Sequence, residues 1–133
     1  MQETFDIRNT TRQATPSEAG SLFRVVKEGI LGKTYRLSLV FVGDELSRRL
    51  NRDHRGNDKP ANILSFPLAK DSGEIFINLH RARKDAHRFE KGYNEFVAYL
   101  FVHGCLHLKG YEHGSAMEHA EDIAMKKLFS PKT

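Results

Sequence analysis

The sequence has a single cysteine, Cys105, so no internal disulfide can form and nothing in the framework depends on an oxidising compartment. Its apolar runs are only a few residues long, far short of the roughly 20 that a membrane-spanning helix needs. The opening Met1-Gln2-Glu3-Thr4-Phe5-Asp6 carries acidic residues where a secretory signal places basic ones, and no apolar run or small-residue cleavage site follows. These absences predict a cytoplasmic protein that is neither exported nor membrane-embedded. Prolines number only four, and no repeat, low-complexity stretch or linker interrupts the chain, which excludes collagen-like and disordered classes.

What is present suits one folded domain. The 133 residues are 39% hydrophobic and 29% charged, with apolar positions spread from Phe5 to Phe129; this predicts a single domain over residues 1–133 with its own core. The net charge of +4 favours polyanionic partners through long-range attraction. The basic residues fall in two groups: Arg48, Arg49, Arg52, Arg55 and Lys59, then Arg81, Arg83, Lys84, Arg88 and Lys91. Charge alone leaves each group open between a solvated helix face and a binding surface.

Periodicity supplies a coarse map. Thr4-Phe5-Asp6-Ile7 alternates like a strand, and Thr15-Pro16-Ser17-Glu18 reads as a capping box opening a helix with Leu22, Phe23, Val26 and Ile30 on its apolar face. Tyr35, Leu37, Leu39 and Phe41 alternate as a strand with one face on the core. Asp44 then caps a short helix carrying Leu46 and Leu50 inward. A loop is expected from Asp53 to Pro60, followed by a hairpin of residues 62–66 and 74–78. A basic amphipathic segment covers about 79–90, a helix runs from about Asn94 to Leu108, and Gly110 sits where a left-handed terminator belongs. A last helix, roughly Ala116 to Phe129, packs Met117, Ile123 and Leu128 on the core.

The segment that carries chemistry runs from Val102 to His113. His103 and His107 are four apart, so on a helix both imidazoles project from one face at the spacing one metal ion requires. Gly110 lets the chain turn back so that His113 supplies a third nitrogen. Three neutral imidazoles suit zinc, and a fourth position left to water makes the site catalytic rather than structural. Cys105 points to the far side of the helix and is read as core, while His54, His80, His87 and His119 lack the spacing for a metal role. This HxxxHxxGxxH pattern is that of the metzincin proteases, but Gly104 stands where their general-base glutamate belongs. That puts peptidase chemistry in doubt: a zinc-bound water can ionise near neutral pH by itself, and a nearby guanidinium can neutralise an oxyanion or a phosphorane.

His103-Gly104-x-Leu106-His107-Leu108-x-Gly110-Tyr111-x-His113 closely resembles the signature of the YbeY family, metal-dependent endoribonucleases of bacterial ribosomal RNA maturation. Leu50-Asn51-Arg52-x-x-Arg55 with Ile63-Leu64-Ser65-Phe66-Pro67 resembles that family's arginine loop and core strand. Gly73-Glu74-Ile75 is similar to its next strand, and Met117-Glu118 to the start of its closing helix. The resemblance covers residues from about 37 to 128. It implies an α+β fold, with a small mixed β-sheet of about four strands, helices packed on it, and the metal site on a central helix beside a groove. It also implies His103, His107 and His113 as metal ligands and catalytic residues, and Arg55 as the basic residue that binds the scissile phosphate. Spacing alone leaves Arg55 open between that role and a solvated loop arginine. The family's usual Thr-Asp before the core strand is Ala61-Asn62 here, and two usual aspartates are Glu74 and Glu112.

The expected function is therefore a zinc-dependent endoribonuclease with one Zn2+ per chain. It prefers single-stranded RNA and acts on the 3' end of small-subunit ribosomal RNA and in ribosome quality control. The ribosome or its proteins are the expected partners, with no DNA and no membrane. The competing readings are a non-catalytic ribosome assembly factor stabilised by its metal, and a metal-dependent peptidase-like hydrolase.

Overall fold

Alternating apolar residues build four strands, β1 (Phe5–Asn9), β2 (Arg36–Val42), β3 (Ile63–Ala69) and β4 (Ser72–Asn78), which lie in the order β1-β2-β4-β3. The computed structural model describes residues 4–17 and 19–129. β1, β2 and β4 are parallel, and β3 runs antiparallel to β4. The sheet is thus mixed, and the expected hairpin forms, with β3 continuing through Pro67. A proline is tolerated there because β3 is an edge strand, and the register shifts just beyond it, between Pro67 and Ala69.

Five helices complete the fold: α1 (Ser21–Ile30), α2 (Asp44–Arg55), α3 (Leu79–Arg88), α4 (Tyr93–Lys109) and α5 (Ser115–Phe129). α4 lies on one face of β3 and β4, with α1, α3 and α5 packed around it. Its buried side meets Leu39, Ile75 and Ile77 from the sheet. Phe101 stacks on Phe23 of α1 with ring centroids 4.5 Å apart, and on Phe5 of β1 at 5.7 Å. Cys105 is fully buried here, as expected of a core residue. Against the same core lies Lys27, 1% exposed, whose ammonium donates to the Lys33 carbonyl at 3.0 Å and to Thr4 Oγ1 at 3.3 Å.

Several local expectations need correction. β2 buries both faces, Val40 and Val42 included, because a parallel strand inside a sheet is covered on each side. α1 begins at Ser21 rather than in the Thr15–Ser17 segment. The Thr15 hydroxyl instead accepts from Asn9 Nδ2 at 3.0 Å, which removes it as a cap; Glu18, the other half of the expected box, lies outside the described residues. α2 continues through Asp53 to Arg55, and Gly43 rather than Asp44 holds its N-cap position. Asp44 accepts instead from Asn78 Nδ2 at 2.8 Å. The most buried residues of α2 are Ser47 and Asn51, with Leu46 and Leu50 only half-buried. In α5 the packed face is Met117, Ala120, Glu121, Ala124, Met125 and, as expected, Leu128, whereas Ile123 falls outside it and is 46% exposed.

Candidate metal centre

α4 is long enough for one side to pack on the sheet while the other carries polar groups at its C-terminal end. The packed side is tight at Gly104: a Cβ there would lie 2.9 Å from Ile63 Cδ1 and 3.0 Å from Ile75 Cδ1. The place that holds a glutamate in metzincins is therefore a contact point between helix and sheet, where any side chain must displace Ile63 and Ile75. His103 and His107 stand on α4 one turn apart. Gly110 ends the helix at φ +118, its N–H bonding the His107 carbonyl at 3.0 Å and the Tyr111 N–H bonding the Leu106 carbonyl at 3.0 Å. This reversal brings His113 back over the two helical imidazoles.

The three rings meet. Centroids are 4.7 Å apart for His103 and His107, 4.6 Å for His107 and His113, and 5.2 Å for His103 and His113. One ligand nitrogen from each lies within 4.8 Å of the others, close enough to bind a metal ion. His103 Nδ1 is hydrogen-bonded to the buried carboxylate of Glu121 on α5. A carboxylate only accepts, so Nδ1 carries the proton and Nε2 keeps the lone pair a metal needs. His107 is held below its ordinary pKa of 6.5, first by burial, then by the neighbouring His103 and His113, with Arg55 adding to the effect and a backbone hydrogen bond at Tyr111 opposing it. Neutral imidazole is the ligand form, so the donor set fits a metal.

Glu121 is the residue that sequence reasoning missed. Its signal was an acidic side chain placed four residues after Met117, on the buried stripe of an amphipathic helix.

Arg55 is the last residue of α2. Its Nη2 donates to the Ser65 carbonyl at 3.1 Å and its guanidinium sits 5.6 Å from the Phe66 ring centroid. With Asn51, Lys59, Asn62, Arg81 and Asp85 it borders a polar hollow of about 390 Å³. The two basic groups of the sequence thus divide. Arg48 pairs with Asp58 at 2.8 Å, Arg52 with Asp53 at 3.1 Å, and Arg83 lies over the Tyr93 ring at 4.1 Å, while Arg55, Lys59 and Arg81 share the hollow, Arg81 facing Asp85 at 3.8 Å.

The residues that depart from the family pattern are also located. Ala61 is bonded at both its N–H and its carbonyl to Ser47 Oγ, and Asn62 Nδ2 donates to Asp85 at 3.0 Å. Glu74 pairs in register with Ser38 and Phe66, which by strand alternation is the face opposite α4. Glu112 is exposed in the turn before His113.

A four-stranded mixed sheet carrying a long helix with paired imidazoles, completed by a third from beyond a glycine turn, defines an α+β domain in which three imidazoles at zincin-like spacing are close enough to bind a metal ion. The chain belongs to the YbeY family of endoribonucleases: residues 3–130 match the family model described as Endoribonuclease YbeY. Curated relatives of that name include one from Helicobacter pylori (strain Shi470), 38% identical over 103 residues, 74% of this chain and 74% of the relative. Another, from Neorickettsia sennetsu, is 35% identical over 108 residues, 73% of this chain and 76% of the relative. A third, from Sinorhizobium medicae, is 31% identical over 132 residues, 92% of this chain and 77% of the relative. The solution structure of TM1509 from Thermotoga maritima matches with a TM-score of 0.68 over 93% of this chain and 88% of that one. At 22% identity this last likeness is one of fold. Among the described residues no helix is long and apolar enough to cross a membrane.

Proposed function

We propose that this endoribonuclease works as a single domain over residues 1–133, with one zinc ion held by His103, His107 and His113, and Arg55 as the catalytic cation. Its substrate is single-stranded RNA, and its place is the cytoplasm, where it matures the 3' end of small-subunit ribosomal RNA and serves ribosome quality control beside ribosomal proteins. The observation that carries this reading is the meeting of three imidazoles whose ligand nitrogens lie within 4.8 Å of one another, with Arg55 among the groups that act on His107.

When bound, the metal supplies Lewis-acid polarisation at the phosphate and promotes ionisation of an attacking hydroxyl. The protein's own groups do the rest. Glu121 fixes the His103 ring and its tautomer through Nδ1. Arg55 takes the developing negative charge on the phosphate oxygens, a task that a planar guanidinium performs with paired donors. Lys59 and Arg81 hold the neighbouring backbone phosphates without reading sequence. Gly104, packed against Ile63 and Ile75, supplies no general base of the kind a peptidase uses.

The test is cleavage of a defined single-stranded RNA by metal-quantified protein, beside His107→Ala and Arg55→Ala purified identically. Near one zinc per chain, cutting by wild type, and folded but inactive variants are expected. Equal cutting by all three preparations overturns the reading and leaves an assembly factor. A cyclic phosphate end identifies the RNA 2'-hydroxyl as nucleophile, and a 5'-phosphate facing a free 3'-hydroxyl identifies water.

A further inference from the structure

The polar hollow beside Arg55 shares Asn62 and Ile63 with a second hollow of different character. This one, about 320 Å³, is lined by Phe89, Phe96, Tyr99 and Leu100 together with Lys91 and His103. Apolar walls offer a phosphate no hydrogen-bond donors.

The aromatic groups form a continuous series. Phe89 lies 6.0 Å from Phe96 with the rings 20° from parallel, Phe96 is 5.9 Å from Tyr99, and Tyr99 is 6.1 Å from His103. Phe96 is buried, but Phe89 is 56% exposed, with the Arg88 guanidinium 5.5 Å from its ring centroid. The backbone holds it there. Phe89 caps α3 with its N–H on the Asp85 carbonyl at 2.9 Å, and the Lys91 N–H returns to the Ala86 carbonyl at 2.8 Å. Between them Glu90 adopts φ 56, a left-handed conformation that few side chains take. At the junction of the hollows Asn62 has its amide nitrogen engaged by Asp85, which leaves its side-chain oxygen as an acceptor.

We propose that this aromatic hollow is a nucleobase subsite, in which a base adjoining the scissile phosphate stacks against Phe89 while the phosphates run past Arg55 and Lys59. Exposed aromatic faces beside a basic track are how proteins hold single-stranded nucleic acid with little sequence preference. The volume falls within the range of small-ligand pockets, and the border with His103 puts the occupant next to the candidate reaction centre.

The inference rests on RNA being the substrate, so its test reads binding apart from cleavage. Adenosine 5'-monophosphate and ribose 5-phosphate are titrated by NMR into the zinc-loaded wild type, Phe89→Ala and Phe89→Tyr, and RNA cleavage is assayed in parallel. Wild type should bind the nucleotide at least about tenfold tighter than the sugar phosphate. Phe89→Ala should lose most of that difference with its affinity for ribose 5-phosphate unchanged, and Phe89→Tyr should retain it. Equal binding of the two ligands, or a Phe89→Ala protein that still prefers the nucleotide, overturns the subsite. Base-dependent binding at Phe89 in a protein that cuts no RNA upholds the subsite and refutes the proposed reaction instead.

Discussion

Helices α2 and α4 bring the two parts of the candidate site together, and they are held in place by opposite means. α4 is seated by apolar packing, with Val97, Phe101 and Cys105 fully buried against the sheet and its neighbouring helices. α2 is seated by a polar stripe. Ser47, Asn51 and Arg55 recur every four residues, and their side chains donate to the carbonyls of Ala61, Lys59 and Ser65 at 2.8, 2.9 and 3.1 Å. Packing is strong and non-directional, whereas each hydrogen bond is weak in net terms and strict in geometry. The imidazoles therefore stand on a stiff support, and the guanidinium stands on an arm whose register is set bond by bond.

Substitutions that weaken one support and spare the other sharpen this contrast. The largest effect is expected from Phe101→Ala, which removes a ring stacked on both Phe23 and Phe5; it should cost about 3–5 kcal/mol in urea unfolding. Gly104→Ala comes next, because the new methyl must push back Ile63 and Ile75. A loss of about 1–3 kcal/mol, seen as a lower Tm with and without metal, is expected, and no loss would mean that α4 is not pressed on the sheet.

Glu121→Gln frees the His103 ring with little change of volume and should weaken metal affinity about 10–100-fold, measured by chelator competition. Asn51→Ala should cost about 1 kcal/mol and yet reduce RNA affinity clearly, since Lys59 and the polar hollow lose their anchor. A stability loss as large as that of Phe101→Ala would erase the distinction between the two helices.

The smallest effect is one of pH. His107 is held below 6.5 in the folded protein, so as pH falls through that value the unfolded chain takes up a proton that the folded one resists. Metal-free protein should lose stability over this window, and His107→Gln should flatten the slope in pH-dependent urea melts.

The same contrast governs what could be read from the sequence. α4 was legible because its apolar period and its terminating Gly110 are strong local signals, and the histidine spacing followed from the helix. The inward face of α2 was not, because Ser47 and Asn51 look like surface residues until their partners at positions 61 and 59 are known. Leu46 and Leu50 drew the helix's inward face to the wrong side. Glu121 was hidden for the same reason: an acid reads as solvated unless its partner, eighteen residues away in the chain, is in view. The misplaced start of α1 has a similar origin, since Thr15 is claimed by Asn9 rather than by the helix.

Lys27 offers a way to watch the molecule breathe. Burial lowers its pKa, which makes the free amine more available as a nucleophile, yet the surrounding core keeps reagents away from it. Acylation of this lysine must wait for α1 to lift from β1 and the Lys33 turn, whereas exposed lysines such as Lys84 and Lys109 react from the closed state. The ratio of the two labelling rates measures the free energy of that local opening.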